Sequence, residues 1–120
     1  PVDVKNILRR SAILTHKNKT ITVNLAINYG AKDEILNALK RTKKKINLRE
    51  FEKNLYTKNM PYPDILIRTG GHQRLSNFML WQLAYTELFF LKKLWPDFNS
   101  KDLFKIIKKF KKTKRNYGGV

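Results

Sequence analysis

The sequence predicts an α/β fold with a mostly parallel sheet flanked by helices. Three observations lead there. Residues 19–28, KTITVNLAIN, alternate apolar and polar side chains with the two-residue period of a strand. Ile65-Leu66-Ile67 is a short apolar run of the kind found in buried strands. Between and around these lie segments with apolar residues at helical spacing, and strands that alternate with helices favour parallel pairing.

Taken in order, Asp3 to about Lys17 reads as a helix, with Val4, Ile7, Leu8, Ile13 and Leu14 near a 3.6-residue period and Arg9 and Arg10 exposed. The strand over 19–28 follows, with Ile21, Val23, Leu25 and Ile27 on one face, until Tyr29-Gly30 breaks it. Ala31 to Lys44 is a second helix, with Ile35, Leu36 and Leu39 on one side. Its acids, Asp33 and Glu34, lie in the first turn and its bases in the last, as the helix dipole favours. Asn47, with Glu50 three residues on, is an N-cap for a short helix from Leu48 to about Tyr56. Met60-Pro61-Tyr62-Pro63 is a stiff connector into a short strand, Asp64–Arg68. Phe78 to Glu87 is nearly apolar all round and reads as a central helix capped by Ser76 or Asn77. Leu88-Phe89-Phe90 is a weaker strand candidate. Trp95–Phe98 is a turn with aromatic anchors. Ser100 caps a last amphipathic helix, about Lys101 to Lys112, whose Leu103, Phe104, Ile106, Ile107 and Phe110 point inward. Two strands and a weak third are too few for a covered parallel sheet, so part of the expected fold is missing.

With 120 residues, 42% of them hydrophobic, the chain is long enough for one packed domain. No apolar run approaches the roughly 20 residues needed to span a bilayer as a helix. The absence of cysteine excludes disulfides and thiolate metal sites. The net charge of +17, from 26 basic and 9 acidic residues, raises nucleic acid, an anionic membrane or a phosphorylated substrate as partners. A plainer reading is a solvated surface, because lysines far outnumber arginines and the basic residues are spread over several helices with no aromatic–basic platform.

The segment IRTGGHQRLSNF, 67–78, interrupts two apolar runs. It stands at the carboxyl end of a predicted strand, where open α/β sheets bind ligands. Glycines allow positive φ and close backbone approach. Arg68 and Arg74 offer planar donor forks matched to phosphate oxygens, and Ser76 adds a hydroxyl. Hydrogen bonds to charged groups contribute about 1.5–3 kcal/mol each. Three or four, less the cost of association, give a micromolar site of about −8 kcal/mol, the scale of diphosphate binding. The spacing is neither a Walker A motif nor a G-x-G-x-x-G fingerprint. An ordinary strand-to-helix loop, with its arginines on carboxylates or carbonyls, accounts for the same residues. Glu87 lies among residues that should be buried, so it must be paired, protonated or on a metal, with a salt bridge to a nearby base the simplest case. His72 is a loop histidine, more often an exposed hydrogen bonder than a ligand.

The stretch PDILIRTGGHQRLSNFMLWQLAYTELFFLKKLWPDF closely resembles the signature region of the cis-prenyltransferases, among them the bacterial undecaprenyl diphosphate synthases, which are isoprenyl transferases. TVNLAINYG and the terminal NYGG resemble two further family segments, so the resemblance extends from the first helix to the end. It implies that residues 1–120 are a single partial domain, the C-terminal half of the cis-prenyltransferase fold. The family's D-G-N-G-R-W-A motif, with its catalytic aspartate, is not found, so no catalytic residue is assigned and this chain alone is expected to be inactive. The implied activity is condensation of isopentenyl diphosphate onto an allylic diphosphate such as farnesyl diphosphate, in cis geometry and with Mg²⁺, to make a polyprenyl diphosphate such as the undecaprenyl carrier of cell-wall synthesis. The family's substrate-binding positions fall on Arg68, Arg74, Leu75 and Ser76, and its metal-linked glutamate on Glu87. The resemblance also implies a homodimer built through this half, and a cytoplasmic enzyme, peripheral at the inner face of the membrane through its lipid product. Two positions depart from the pattern: His72 stands where the family has glutamate, and Asn116, beside Arg115, where its tail has arginine. These departures keep open a non-catalytic partner subunit of a heteromeric cis-prenyltransferase. A basic nucleic-acid-binding module is the reading from charge alone, and the spread of the basic residues over several helices with no aromatic–basic platform disfavours it.

Overall fold

The computed structural model describes residues 2–43 and 46–115. Its elements are helix α1 (Val2–Thr15), α2 (Ala31–Arg41), α3 (Leu48–Glu52), strand β1 (Ile65–Arg68), strand β2 (Glu87–Phe90), a 3₁₀ turn (Trp95–Asp97) and α4 (Ser100–Phe110). The two strands pair in parallel, Ile65 beside Glu87 through Arg68 beside Phe90. Mixed α/β architecture with parallel pairing is therefore what the sequence predicts, and the weak strand candidate is one of the pair.

The core is small. Ala38, Phe51 and Leu55 are buried together, with Ile35 and Trp81 packed against them. Phe51 meets Trp81 edge-on, with ring centroids 4.6 Å apart. Asn47 caps α3 as expected, its side chain accepting from Glu50 N. The helix ends at Glu52, and turns replace its expected last residues.

Five expectations are corrected. Residues 19–28 form no strand among the described residues: 27–28 are a turn with Asn28 at φ 53°, and Ile21, Val23, Leu25 and Ile27 are exposed. Alternation marks a chain fit for a sheet, yet a strand exists only where a neighbour completes its hydrogen bonds. Second, 78–86 is a succession of turns rather than a helix. Ser76, Asn77 and Met79 have φ of 50°, 63° and 46°, in the left-handed region, and a right-handed helix cannot start through them. Third, α4 is capped by Asn99, not Ser100. Asn99 Oδ1 accepts from Lys101 N at 3.0 Å, and the Asp102 carboxylate reaches back to Asn99 N at 3.2 Å, completing a capping box. Fourth, Ile106 is the buried residue of α4, while Phe104 is 68% exposed and faces out. Trp95 stacks on Phe98 at 5.7 Å but is itself exposed, so it does not anchor the turn to the core.

Candidate diphosphate site

β1 ends at Arg68, and the chain then turns through Gly70 and Gly71, whose φ of 89° and 77° only glycine adopts freely. Their N–H groups are already used. Gly70 N donates to Lys93 O at 2.7 Å and Gly71 N to Leu91 O at 2.8 Å. With Leu91 N donating to Arg68 O at 2.8 Å, these bonds staple the loop to the chain that follows β2. The glycines therefore shape the turn and do not offer their amides to an anion.

The side chains supply the donors. Arg68 Nη1 donates to Ser76 Oγ at 3.0 Å and also to the carbonyl of Arg74, so the guanidinium closes the loop over its own two ends. Residues predicted from opposite ends of the loop, Arg68 and Ser76, are thus in contact. The backbone of Arg74 joins them, while its guanidinium is exposed and Leu75 is half-buried. Neither guanidinium has a carboxylate partner among the described residues. Two unneutralised cations and a hydroxyl on one tight loop make a surface suited to a polyanion. His72 is exposed on the same loop.

Glu87 does not ride on a helix. It opens β2 opposite Ile65, whereas Arg68 is opposite Phe90, so Glu87 sits three residues, about 10 Å, back along the strand direction. Its half-buried carboxylate makes no hydrogen bond or ion pair among the described residues, so the expected salt bridge is not found there. No group of three or more His, Asp or Glu side chains is placed to hold a metal among them. Magnesium commonly takes one or two protein carboxylates together with waters and phosphate oxygens. A lone acidic donor of this kind fits an ion that a diphosphate helps to hold.

The buried carboxylate is a different residue, Glu34, fully excluded from solvent. It accepts from Tyr56 N at 2.8 Å, from Gln82 Nε2 at 3.0 Å and from the Tyr29 hydroxyl. Gln82 Nε2 also reaches Thr57 Oγ1 at 2.9 Å. Burial, and then the bond to Glu34, push the Tyr29 phenol well above its ordinary value of 10.0. From sequence Glu34 reads as a first-turn acid favoured by the helix dipole. The signal that finds it is its register with Ala31 and Ala38, the buried stripe of α2.

Two further contacts were not foreseen. Asn77 serves α2 instead of capping a helix of its own: its side chain accepts from Lys32 N at 2.9 Å and its carbonyl from Ala31 N at 2.8 Å. Arg115 donates to Asp64 at 2.5 Å and to Tyr85 O at 3.2 Å, tying the tail to the entrances of both strands. Asn116 lies outside the described residues. A cavity of about 480 Å³ between β2 and α4 is lined by Phe89, Leu91, Ile106 and four lysines among others, and no residue of the loop contributes to it.

Comparison with known proteins matches residues 1–118 to the prenyltransferase family model described as undecaprenyl diphosphate synthase. An isoprenyl transferase of Leptospira interrogans is 47% identical over 117 residues, covering 88% of this chain and 48% of that protein. The ditrans,polycis-undecaprenyl-diphosphate synthase ((2E,6E)-farnesyl-diphosphate specific) of Haemophilus influenzae is 40% identical over 123 residues, covering 94% of this chain and 52% of that protein. Among solved structures, lavandulyl diphosphate synthase from Lavandula x intermedia, in complex with dimethylallyl diphosphate, superposes with a TM-score of 0.90 at 33% identity, over 99% of this chain and 56% of that one. A probable undecaprenyl diphosphate synthase from Campylobacter jejuni gives 0.83 at 36% identity, over 98% and 57%. The chain thus spans about half the length of the relatives it matches.

Proposed function

Because this chain belongs to the undecaprenyl diphosphate synthase family, we propose that the protein is an isoprenyl transferase, condensing isopentenyl diphosphate with an allylic diphosphate, and that residues 1–120 supply its isopentenyl diphosphate clamp. The carrying observation is the Arg68–Ser76 contact at 3.0 Å beside Arg74, with no carboxylate to neutralise either arginine among the described residues. In the condensation the alkene of isopentenyl diphosphate forms a carbon–carbon bond to the allylic carbon, the allylic diphosphate leaves with the bonding pair, and one proton is lost. The clamp touches none of the reacting carbons. Its part is to hold the nucleophile's diphosphate so that the alkene approaches in one orientation, which removes an entropic share of the barrier. Arg68 and Ser76 form the closed wall, and the exposed Arg74 fork swings onto the diphosphate from outside.

Mg²⁺, when bound, would offset diphosphate charge, and Glu87 is the residue of this chain that would contribute to holding it. The starter farnesyl diphosphate and the undecaprenyl product belong to the same proposal, supported by the kinship with a synthase bearing those names; a homodimer and a cytoplasmic enzyme peripheral to the membrane belong to it as what the family resemblance implies.

The test is Arg74→Ala in the intact protein. Loss of one charged donor pair, about 1.5–3 kcal/mol, should raise KM for isopentenyl diphosphate by roughly ten- to a hundredfold. An unchanged KM removes Arg74 from the clamp. A chelator should abolish turnover and added Mg²⁺ restore it, with Glu87→Gln shifting the Mg²⁺ requirement upward; turnover indifferent to chelation would sink the metal assignment.

A further inference from the structure

We propose that Asn77 is a positioning residue for the diphosphate clamp: it anchors the end of the Arg68–Ser76 loop to the first turn of α2. The inference rests on the isoprenyl transferase reading above. α2 begins after Gly30, which has no side chain to cap the helix. Asn77 takes over that role from 45 residues away in sequence, its Oδ1 accepting from Lys32 N at 2.9 Å. Its main-chain carbonyl accepts from Ala31 N at 2.8 Å. Two of the helix's free N–H groups are thereby satisfied by one residue of the loop.

The fit is close on both sides. A Cβ on Gly30 would lie 2.9 Å from Asn77 Nδ2 and 3.2 Å from Asp33 Oδ2, so a side chain there would have to displace the carboxamide that caps α2; the backbone itself, at φ −141°, sets no such demand. The next residue, Phe78, packs edge-on against Tyr29 at 5.7 Å. Residues 29–32 therefore grip 77–78 by ring, cap and close packing.

This grip acts on the clamp through Ser76. Ser76 precedes the anchor and is itself held at φ 50°, which serine rarely adopts unless its surroundings impose it. Asn77, at φ 63°, is of a residue type that tolerates this region. Released from α2, the 76–77 backbone would relax toward right-handed φ. The Ser76 hydroxyl would then leave Arg68 Nη1, now 3.0 Å away, and the wall of the clamp would open.

The experiment uses the intact protein with Asn77→Asp, Asn77→Gly, Gly30→Ala and Arg68→Ala. Asn77→Asp keeps an acceptor for Lys32 N and a residue type suited to positive φ. Asn77→Gly keeps the backbone freedom and removes the cap. Gly30→Ala forces a methyl onto the carboxamide from the other side. Asn77→Gly and Gly30→Ala should each raise KM for isopentenyl diphosphate about tenfold, leaving KM for the allylic diphosphate and kcat within about twofold. Asn77→Asp should recover most of the loss. A merely structural role would lower the active fraction, and so kcat, for both substrates alike. Equal effects on both substrates, Asn77→Asp as impaired as Asn77→Gly, or unchanged KM in both test variants overturns the proposal. Titration with isopentenyl diphosphate separates it from the underlying reading. If wild type and Arg68→Ala bind equally, or neither binds, the clamp assignment fails and the positioning role with it. If Arg68→Ala loses binding and Asn77→Gly does not, only the positioning role fails.

Discussion

At the scale of single residues, the sharpest constraint is the fully buried Glu34, with three donors on its two oxygens. In Glu34→Gln one oxygen becomes an NH₂ group, which must face either Tyr56 N or the Tyr29–Gln82 pair. Donor then meets donor, Tyr56 N or Gln82 Nε2, in a site closed to bulk solvent. The expected loss is about 1–3 kcal/mol of stability, measured by urea unfolding. A loss below about 0.5 kcal/mol, the level of an ordinary surface change, would mean the network is not a structural constraint. Tyr29 adds a pH dependence. Its phenol is raised above 10.0 in the folded chain, by burial first and then by the bond to Glu34. A raised value stabilises the fold fully below the unfolded value, and that contribution is lost as pH climbs above 10.0. Tyr29→Phe should flatten the alkaline limb of a stability–pH curve; an identical limb would show that other groups set it.

At the scale of elements, α4 gives the clearest case of local sequence writing local structure. Asn99 and Asp102 close a capping box, and Asp102 also accepts from Lys93 Nζ at 2.7 Å. Asn99→Ala should cost about 1 kcal/mol, whereas Ser100→Ala should be nearly neutral, as thermal melts will show. Equal costs would return the cap to Ser100. The Lys93 bond, ahead of the backbone bond from Asn99, holds the Asp102 carboxyl below 3.8. Its contribution is therefore present above that value and fades as acidification protonates the group. Helical periods, the Asn47 cap of α3 and the apolar run of β1 are short-range signals, and those elements were legible from the sequence, whereas the cap of α4 falls on Asn99, one residue before the expected Ser100. The loop stood out too: Arg68, Arg74 and Ser76 are conspicuous by type and spacing, and the structure brings Arg68 to Ser76. What could not be read is long-range. Asn77 caps a helix that begins 46 residues earlier in the chain, and the buried acid is Glu34 while Glu87 opens a strand. In each case the deciding partner lies more than 20 residues away, except Tyr29, beyond the reach of any local pattern.

At the scale of the whole molecule, the described chain is expanded. Its radius of gyration is 17.1 Å, against about 14 Å for a compact domain of this length. The excess has an identifiable source. α1 buries no residue, and Val4, Ile7, Ile13 and Leu14 are exposed along it. Ile21, Val23, Leu25 and Ile27 are exposed in the segment that follows. Each apolar side chain left in water forgoes about 1.5–3 kcal/mol of burial, so this end of the chain gains little from folding on its own. A helix stripe and a strand-like alternation adjacent in sequence are suited to opposite sides of one further layer of structure. The 120 residues expressed alone should accordingly bind a hydrophobic dye, self-associate as concentration rises, and show no prenyl transfer with farnesyl and isopentenyl diphosphates. Scattering, dye fluorescence and a product assay test the three points. A monodisperse chain with a radius of gyration near 14 Å and measurable turnover would show that residues 2–28 fold back onto the core and that these 120 residues suffice for catalysis. The expected result instead would mean that the apolar stripe of α1 and the apolar side chains of 21–27 gain no cover from the described core, while β1, β2 and α2 still hold the Arg68–Ser76 loop.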